Sequence, residues 1–229
     1  MKQRTLGKSG LQVSLVGLGC NNFGGRTDLE ASRKVVHKAL DLGITLFDTA
    51  DTYGERGGSE TVLGQVLGNR CKDIVLATKF GMPMDEAGIL KGASRRYILS
   101  AVEASLQRLK TDWIDLYQLH VPDPLTLIEE TLRALEDLIR QGKVRYIGCS
   151  NLPAWQVVEA LWTARPGTSV STPLCRVRMS TACSCVIRNA SSCQPWKRMG
   201  SGYCRNFLWR PVCYPASTSG ISRCRKVRA

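Results

Sequence analysis

Apolar positions along the first 163 residues alternate between two rhythms. Short runs rich in Leu, Ile and Val are each followed by a longer stretch whose apolar residues fall three or four apart, the spacing of strand followed by amphipathic helix. Leu15–Gly19 is a short apolar run ending in glycine. Asp28 is placed to cap a helix over Leu29–Leu42, which Gly43 closes. Ile44–Ala50 reads as the next strand, and Ser59 as the cap of a short helix to Leu67. Ile74–Phe80 is a third strand, and a helix runs from about Ser94 to Leu109 with Ile98, Val102, Leu106 and Leu109 on one face. Trp113–His120 is a fourth strand. Asp123-Pro124 reads as N-cap and first helical residue of a helix to Arg140, with Ile128, Leu132, Leu135 and Ile139 facing inward and Gly142 ending it. Val144–Cys149 is a fifth strand, and Pro153 opens a helix reaching about Thr163.

Strands separated by single helices imply parallel pairing in an α/β fold. Periodicity alone does not separate a doubly wound sheet from a (β/α)8 barrel. The polar residues help. Asp48, Lys79, His120, Ser150 and Asn151 all fall at the C-terminal ends of successive strands, which converge on one mouth in a barrel.

Charge changes the picture only once it is mapped. The chain has 229 residues and a formal net charge of +13, which at first suggests a nucleic-acid partner. All 19 acidic residues lie at or before Glu159, against 20 basic ones in the same stretch, whereas residues 160–229 hold 12 Lys and Arg and no acid. Seven of the ten cysteines also follow residue 170. The chain divides into a balanced α/β part, 1–165, and a basic, Cys-rich tail, 166–229. That tail has no CxxC pair and no His, which argues against a zinc site. It has neither helical nor strand periodicity, and an irregular, unstructured tail is expected. No apolar run is long enough for a membrane span, and the polar start lacks a signal-peptide core, so a cytoplasmic protein without membrane or nucleic-acid partners is expected.

The strand ends carry a specific chemistry. A lysine ending an apolar strand is costly to bury unless paired, and Asp48 on the neighbouring strand is available for Lys79. Tyr53 follows in the adjoining loop. An ammonium near a phenol favours the phenolate over its ordinary pKa of roughly 10, which makes a tyrosine a usable proton donor. His120 could hydrogen-bond a substrate oxygen from the other side. Taken singly, each has an ordinary structural reading: a helix cap, a snorkelling lysine, a packing tyrosine, a structural histidine. Four in this order, each at a strand end or in the loop after it, are hard to assemble by accident. His37, between Lys34 and Lys38 on a helix, reads as a surface residue.

These segments resemble the aldo-keto reductase family closely. The match includes FDTADTYG with Asp48 and Tyr53, ATKFG with Lys79, LYQLHVPD with His120, and GCSN with Ser150 and Asn151. It runs from an N-terminal hairpin, Arg4–Ser14, to about Thr163. The resemblance implies a (β/α)8 TIM barrel, here truncated to about five βα units, without a glycine-rich dinucleotide loop. It implies NADP(H) as cofactor, with NAD(H) also compatible, and a small carbonyl compound as substrate. Tyr53 would be the general acid, Asp48 and Lys79 would tune it, and His120 would orient the carbonyl. Ser150 and Asn151 would bind the nicotinamide carboxamide, and Gly19, Cys20 and Asn21 would line the cofactor site. Two other readings stay open: a redox-sensing accessory subunit using the same site, and a basic interaction module built on the tail.

The family pattern stops near Arg165, and the genetic code offers a reason. Degenerate codons for Arg178–Arg188, read from the third base of each printed codon, can read N-E-Y-S-L-L-V-R, one of many readings that degeneracy allows. The same offset gives G-L-G-(L/I/V)-L-P from Met199–Arg205 and F-P-L-A-S-G-L-L-(P/S)-G-K-Y from Asn206–Thr218. These are the words the family resemblance leads one to expect at the sixth strand, the seventh strand and the loop beyond. A single insertion or deletion between about Arg165 and Arg176 is therefore expected, either as a sequencing error, in which case the true product is a working reductase, or as a real pseudogene, in which case the printed chain lacks a complete barrel and activity.

Overall fold

In the computed structural model the parallel strands are short, and helices lie against their sides. The structure describes residues 1–7 and 9–164. The tail and the frame reading placed on it lie outside the described residues. An antiparallel hairpin, β1 (Gln3–Thr5) and β2 (Gln12–Ser14), precedes a five-stranded parallel sheet of β3 (Gly17–Gly19), β4 (Leu46–Asp48), β5 (Val75–Phe80), β6 (Ile114–Leu119) and β7 (Val144–Cys149). Strand order follows chain order, β3-β4-β5-β6-β7. Each step between these strands is filled by helix: α1 (Leu29–Asp41), α2 (Tyr53–Leu67), α3 (Arg95–Leu109) and α4 (Ile128–Arg140), with α5 (Ala154–Thr163) after β7. The expected α/β architecture of five βα units is present.

Local chemistry accounts for most boundaries. Asp28 accepts from Ala31 N at 2.7 Å and Ser94 from Tyr97 N at 3.4 Å, so both act as the N-caps their positions suggested. Gly142, at φ 75°, follows α4. The core lies between sheet and helices. Ile98, Val102, Leu106 and Leu109 of α3 and Leu132, Leu135 and Leu138 of α4 are buried in it, and His37 is exposed.

Three starts differ from the sequence reading. Asp123 does not cap α4, which begins at Ile128. Its carboxylate instead accepts from Leu125 N and the Thr126 hydroxyl, forming a turn, and from Ala93 N across the loop before α3. Ser59 does not cap a helix either. After Tyr53 the backbone is non-helical over residues 54–57, and regular helix runs only from there to Leu67, close to the expected start, while the Ser59 hydroxyl donates to Cys20 O at 2.7 Å. Pro153 is the residue before α5 rather than its first. Among the described residues no helix is long and apolar enough to cross a membrane.

Candidate active site

Main-chain bonds carry the sheet ladder past the strand ends and fix the loops that bear the polar residues. Cys20 N donates to Asp48 O at 2.9 Å, Thr49 N to Ala77 O at 2.8 Å and Asp51 N to Lys79 O at 3.0 Å. His120 N donates to Phe80 O at 2.9 Å, and Ser150 N to Leu119 O at 2.7 Å. The register sets Gly19 beside Asp48, Asp48 beside Ala77 and Lys79 beside Gln118. Every one of these positions faces the C-terminal end of the sheet.

Lys79 is the centre of the arrangement. Its residue is 1% exposed, and its ammonium donates to both Asp48 carboxylate oxygens and to Thr49 O, each at 2.8 Å. Three acceptors around one ammonium offset the cost of burying it. The Tyr53 ring lies over it, with Nζ 5.1 Å from the ring centroid. His120 meets the same ring edge-on, at 5.6 Å between centroids and 82° between planes. The four residues singled out from the sequence therefore share one locus.

Burial, and secondarily the Lys79 ammonium, push the His120 imidazole down to about 4. It is neutral near pH 7, and its Nδ1 is buried without a protein partner. Asn151 donates to His120 O at 3.0 Å and to the Ser150 hydroxyl at 3.1 Å, from a left-handed backbone at φ 56° that asparagine tolerates. Gly19 and Asn21 are exposed at the end of β3. Cys20 is fully enclosed, with its thiol directed to Leu18 O at 3.6 Å and its backbone bonded to Asp48 O and the Ser59 hydroxyl, so, contrary to the expectation, it does not line an open cofactor surface. Enclosure, and next the Asp48 charge, raise that thiol well above its ordinary range, so it is no nucleophile.

Two residues of the site escaped the sequence reading. Gln118, fully buried, points Nε2 at Asp48 Oδ1 at 3.4 Å. Asp51 is buried with neither carboxylate oxygen hydrogen-bonded. The available signal for Gln118 was a lone amide inside an apolar strand, two residues before a histidine. Asp51 gave none, because an aspartate in a loop reads as solvated.

The aldo/keto reductase family model matches residues 15–177. The chain is 44% identical over 154 residues to the uncharacterized oxidoreductase YqkF of Bacillus subtilis strain 168, covering 66% of this chain and 49% of that protein. It is 39% identical over 177 residues to the aldo-keto reductase YhdN of the same strain, covering 72% and 53%. Among solved structures it is similar to the aldo-keto reductase AKR11C1 from Bacillus halodurans in its holo form, with a TM-score of 0.66, 40% identity, and coverage of 74% of this chain and 55% of that one. The chain thus spans about half the length of the curated relatives it matches.

Proposed function

The chain belongs to the aldo/keto reductase family of oxidoreductases, and from that premise we propose that it serves the reduction of an aldehyde or ketone to an alcohol by NAD(P)H, with Tyr53 as proton donor. The observation that carries the reading is the Lys79 ammonium, buried, held by both oxygens of Asp48, and lying beneath the Tyr53 ring. The donor set fits a nicotinamide. The Ser150 hydroxyl and the Asn151 amide lie together at the mouth, a pair suited to a carboxamide, while exposed Gly19 and Asn21 offer backbone across from them. The bound cofactor would supply the hydride.

The remaining chemistry falls to the chain's own residues. The carbonyl oxygen, as its carbon accepts hydride, takes the phenolic proton of Tyr53. Lys79 opposes the charge left on the phenol oxygen, and Asp48 keeps Lys79 from turning away. Neutral His120 offers an N–H to the carbonyl oxygen without adding a second cation beside Lys79. A polarised carbonyl between a hydrogen-bond donor and a proton donor is held for attack.

Residues 166–229 are read as out of frame, so the assay uses both the printed chain and a frame-restored protein. NADPH consumption with 4-nitrobenzaldehyde is expected from the frame-restored protein, and Tyr53→Phe should abolish it. Undiminished turnover by Tyr53→Phe refutes the assignment of the proton donor. Tight NADPH binding with no turnover of any aldehyde favours the accessory-subunit reading instead. A nucleotide sequence whose alternative frame lacks the words given above sinks the frame reading.

A further inference from the structure

Directly after Tyr53 the backbone makes a turn of an unusual kind. Gly54, Glu55, Arg56 and Gly57 all have positive φ, at 67°, 60°, 64° and 115°. Two of the four carry side chains, and residues other than glycine seldom adopt the left-handed region. Strain of this kind persists only where the surroundings over-determine it. The surroundings here are specific. A Cβ on Gly54 would stand 2.2 Å from Phe23 O, and one on Gly57 would stand 2.6 Å from Arg108 Cδ. The Thr61 hydroxyl donates back to Gly57 O at 2.9 Å.

Arg108, near the end of α3, continues past Gly57 to Glu60, donating from Nε at 2.7 Å and pairing through Nη2, 2.7 Å from the same carboxylate oxygen. Glu60 is 0% exposed, and its other oxygen accepts from the Thr78 hydroxyl. Thr78 precedes Lys79 on β5. Strand alternation turns one toward the helices and the other into the site. One buried carboxylate therefore joins α2 beyond the turn that follows Tyr53, the strand that carries Lys79, and α3. The side-chain hydrogen bonds and ion pair of Glu60 and Arg108 go to Thr78, Ser105 and each other, not to the candidate catalytic four.

The geometry points to the Glu60–Arg108 pair as a positioning clasp: it locks the left-handed turn and so sets the Tyr53 phenol against Lys79 and His120. This rests on the proposed function for its catalytic meaning, but the placement of the Tyr53 ring can be read without turnover. The chain has only two histidines, and the exposed one, His37, is easily told from His120. The edge-on Tyr53 ring gives the His120 side chain a ring-current shift.

The experiment records histidine side-chain NMR spectra of the full chain, with Tyr53→Ala marking the position without the ring. Arg108→Met strands a buried carboxylate, so the double variant Glu60→Gln/Arg108→Met, which removes both charges, carries the decision. In that double variant the His120 resonance is expected to move most of the way to its Tyr53→Ala position, while Arg108→Lys stays closer to the wild type. In the frame-restored protein, kcat should fall roughly 10–100-fold with KM for aldehyde and NADPH nearly unchanged, the pattern of lost orientation rather than lost binding. A His120 resonance that holds its wild-type place in the double variant, while Tyr53→Ala displaces it, overturns the clasp. A frame-restored wild type inactive on every aldehyde sinks the functional reading alone, because the NMR comparison still decides where the ring sits.

Discussion

Asp51 makes the sharpest test of how this interior handles charge. It is 1% exposed and neither oxygen has a hydrogen-bond partner. Burial, and then the neighbouring Glu60 carboxylate, push its acid up to about 8, against the opposing pull first of the Thr52 backbone N–H, which lies near without forming a well-aligned bond, and then of Arg108 on α3 and Lys79 on β5. Unfolded, the same group releases its proton near pH 3.9. Between these values the folded chain holds a proton that the unfolded chain has lost, so stability must fall as pH rises across that window. Roughly four pH units at about 1.4 kcal/mol each give 5–6 kcal/mol, and partial hydration of the charged form brings the expectation to about 2–5 kcal/mol. Asp51→Asn imitates the neutral acid and does not titrate. Urea unfolding of the full chain, followed by circular dichroism from about pH 5 to about pH 8, should show the variant gaining on the wild type at each step. Other titrating groups cancel in the difference. Two parallel stability curves would refute the argument, because they would mean that Asp51 ionises alike in both states.

The Lys79–Asp48 pair should fail asymmetrically. Asp48→Ala leaves a buried ammonium with only Thr49 O and is expected to cost about 3–5 kcal/mol, whereas Lys79→Met leaves a carboxylate that is 21% exposed, which water can reach, and should cost less; thermal unfolding of the two variants compares them, and a larger loss from Lys79→Met contradicts the burial argument. His120 should titrate with a midpoint near 4 in an NMR pH series. Its folded value lies below its unfolded one, so its contribution is present above about pH 6.5 and lost as pH falls toward 4, and His120→Gln should flatten the acid limb of the stability curve; a midpoint near 6.5 would place the ring in solvent instead.

The fold was readable wherever one side chain decides one boundary. Asp28 and Ser94 each meet a single nearby backbone N–H, and an apolar face at helical spacing has only one side to bury. Asp123 and Ser59 defeated that logic because their side chains had several acceptors or donors within reach, and tertiary contacts chose among them: Ala93 N for one, Cys20 O for the other. The candidate four were legible for a physical reason too. Strand ends in a parallel sheet lie side by side, so residues distant in sequence but equivalent in register become neighbours. The supporting layer was not legible. Glu60 sits on a helix face where a glutamate normally meets water, and Arg108 stands 48 positions away from it. Nothing in either local pattern announces a buried pair.

The division of the chain has a chemical counterpart. The proposed proton donor, the lysine and aspartate behind it, the histidine and the two residues suited to a carboxamide all belong to the first five βα units. Among the described residues, β3 and β7 are the ends of an open sheet, each with one neighbour. The solved relative extends well beyond the part this chain matches. Electrostatic assistance of the kind asked of Lys79 weakens sharply in the presence of water, since the same charge pair interacts several-fold less strongly at high dielectric than in a closed site. Assembly of the four residues and exclusion of solvent around them are therefore separate requirements. The five units satisfy the first through strand register and the turn that follows Tyr53, and closure of the mouth must come from structure beyond β7.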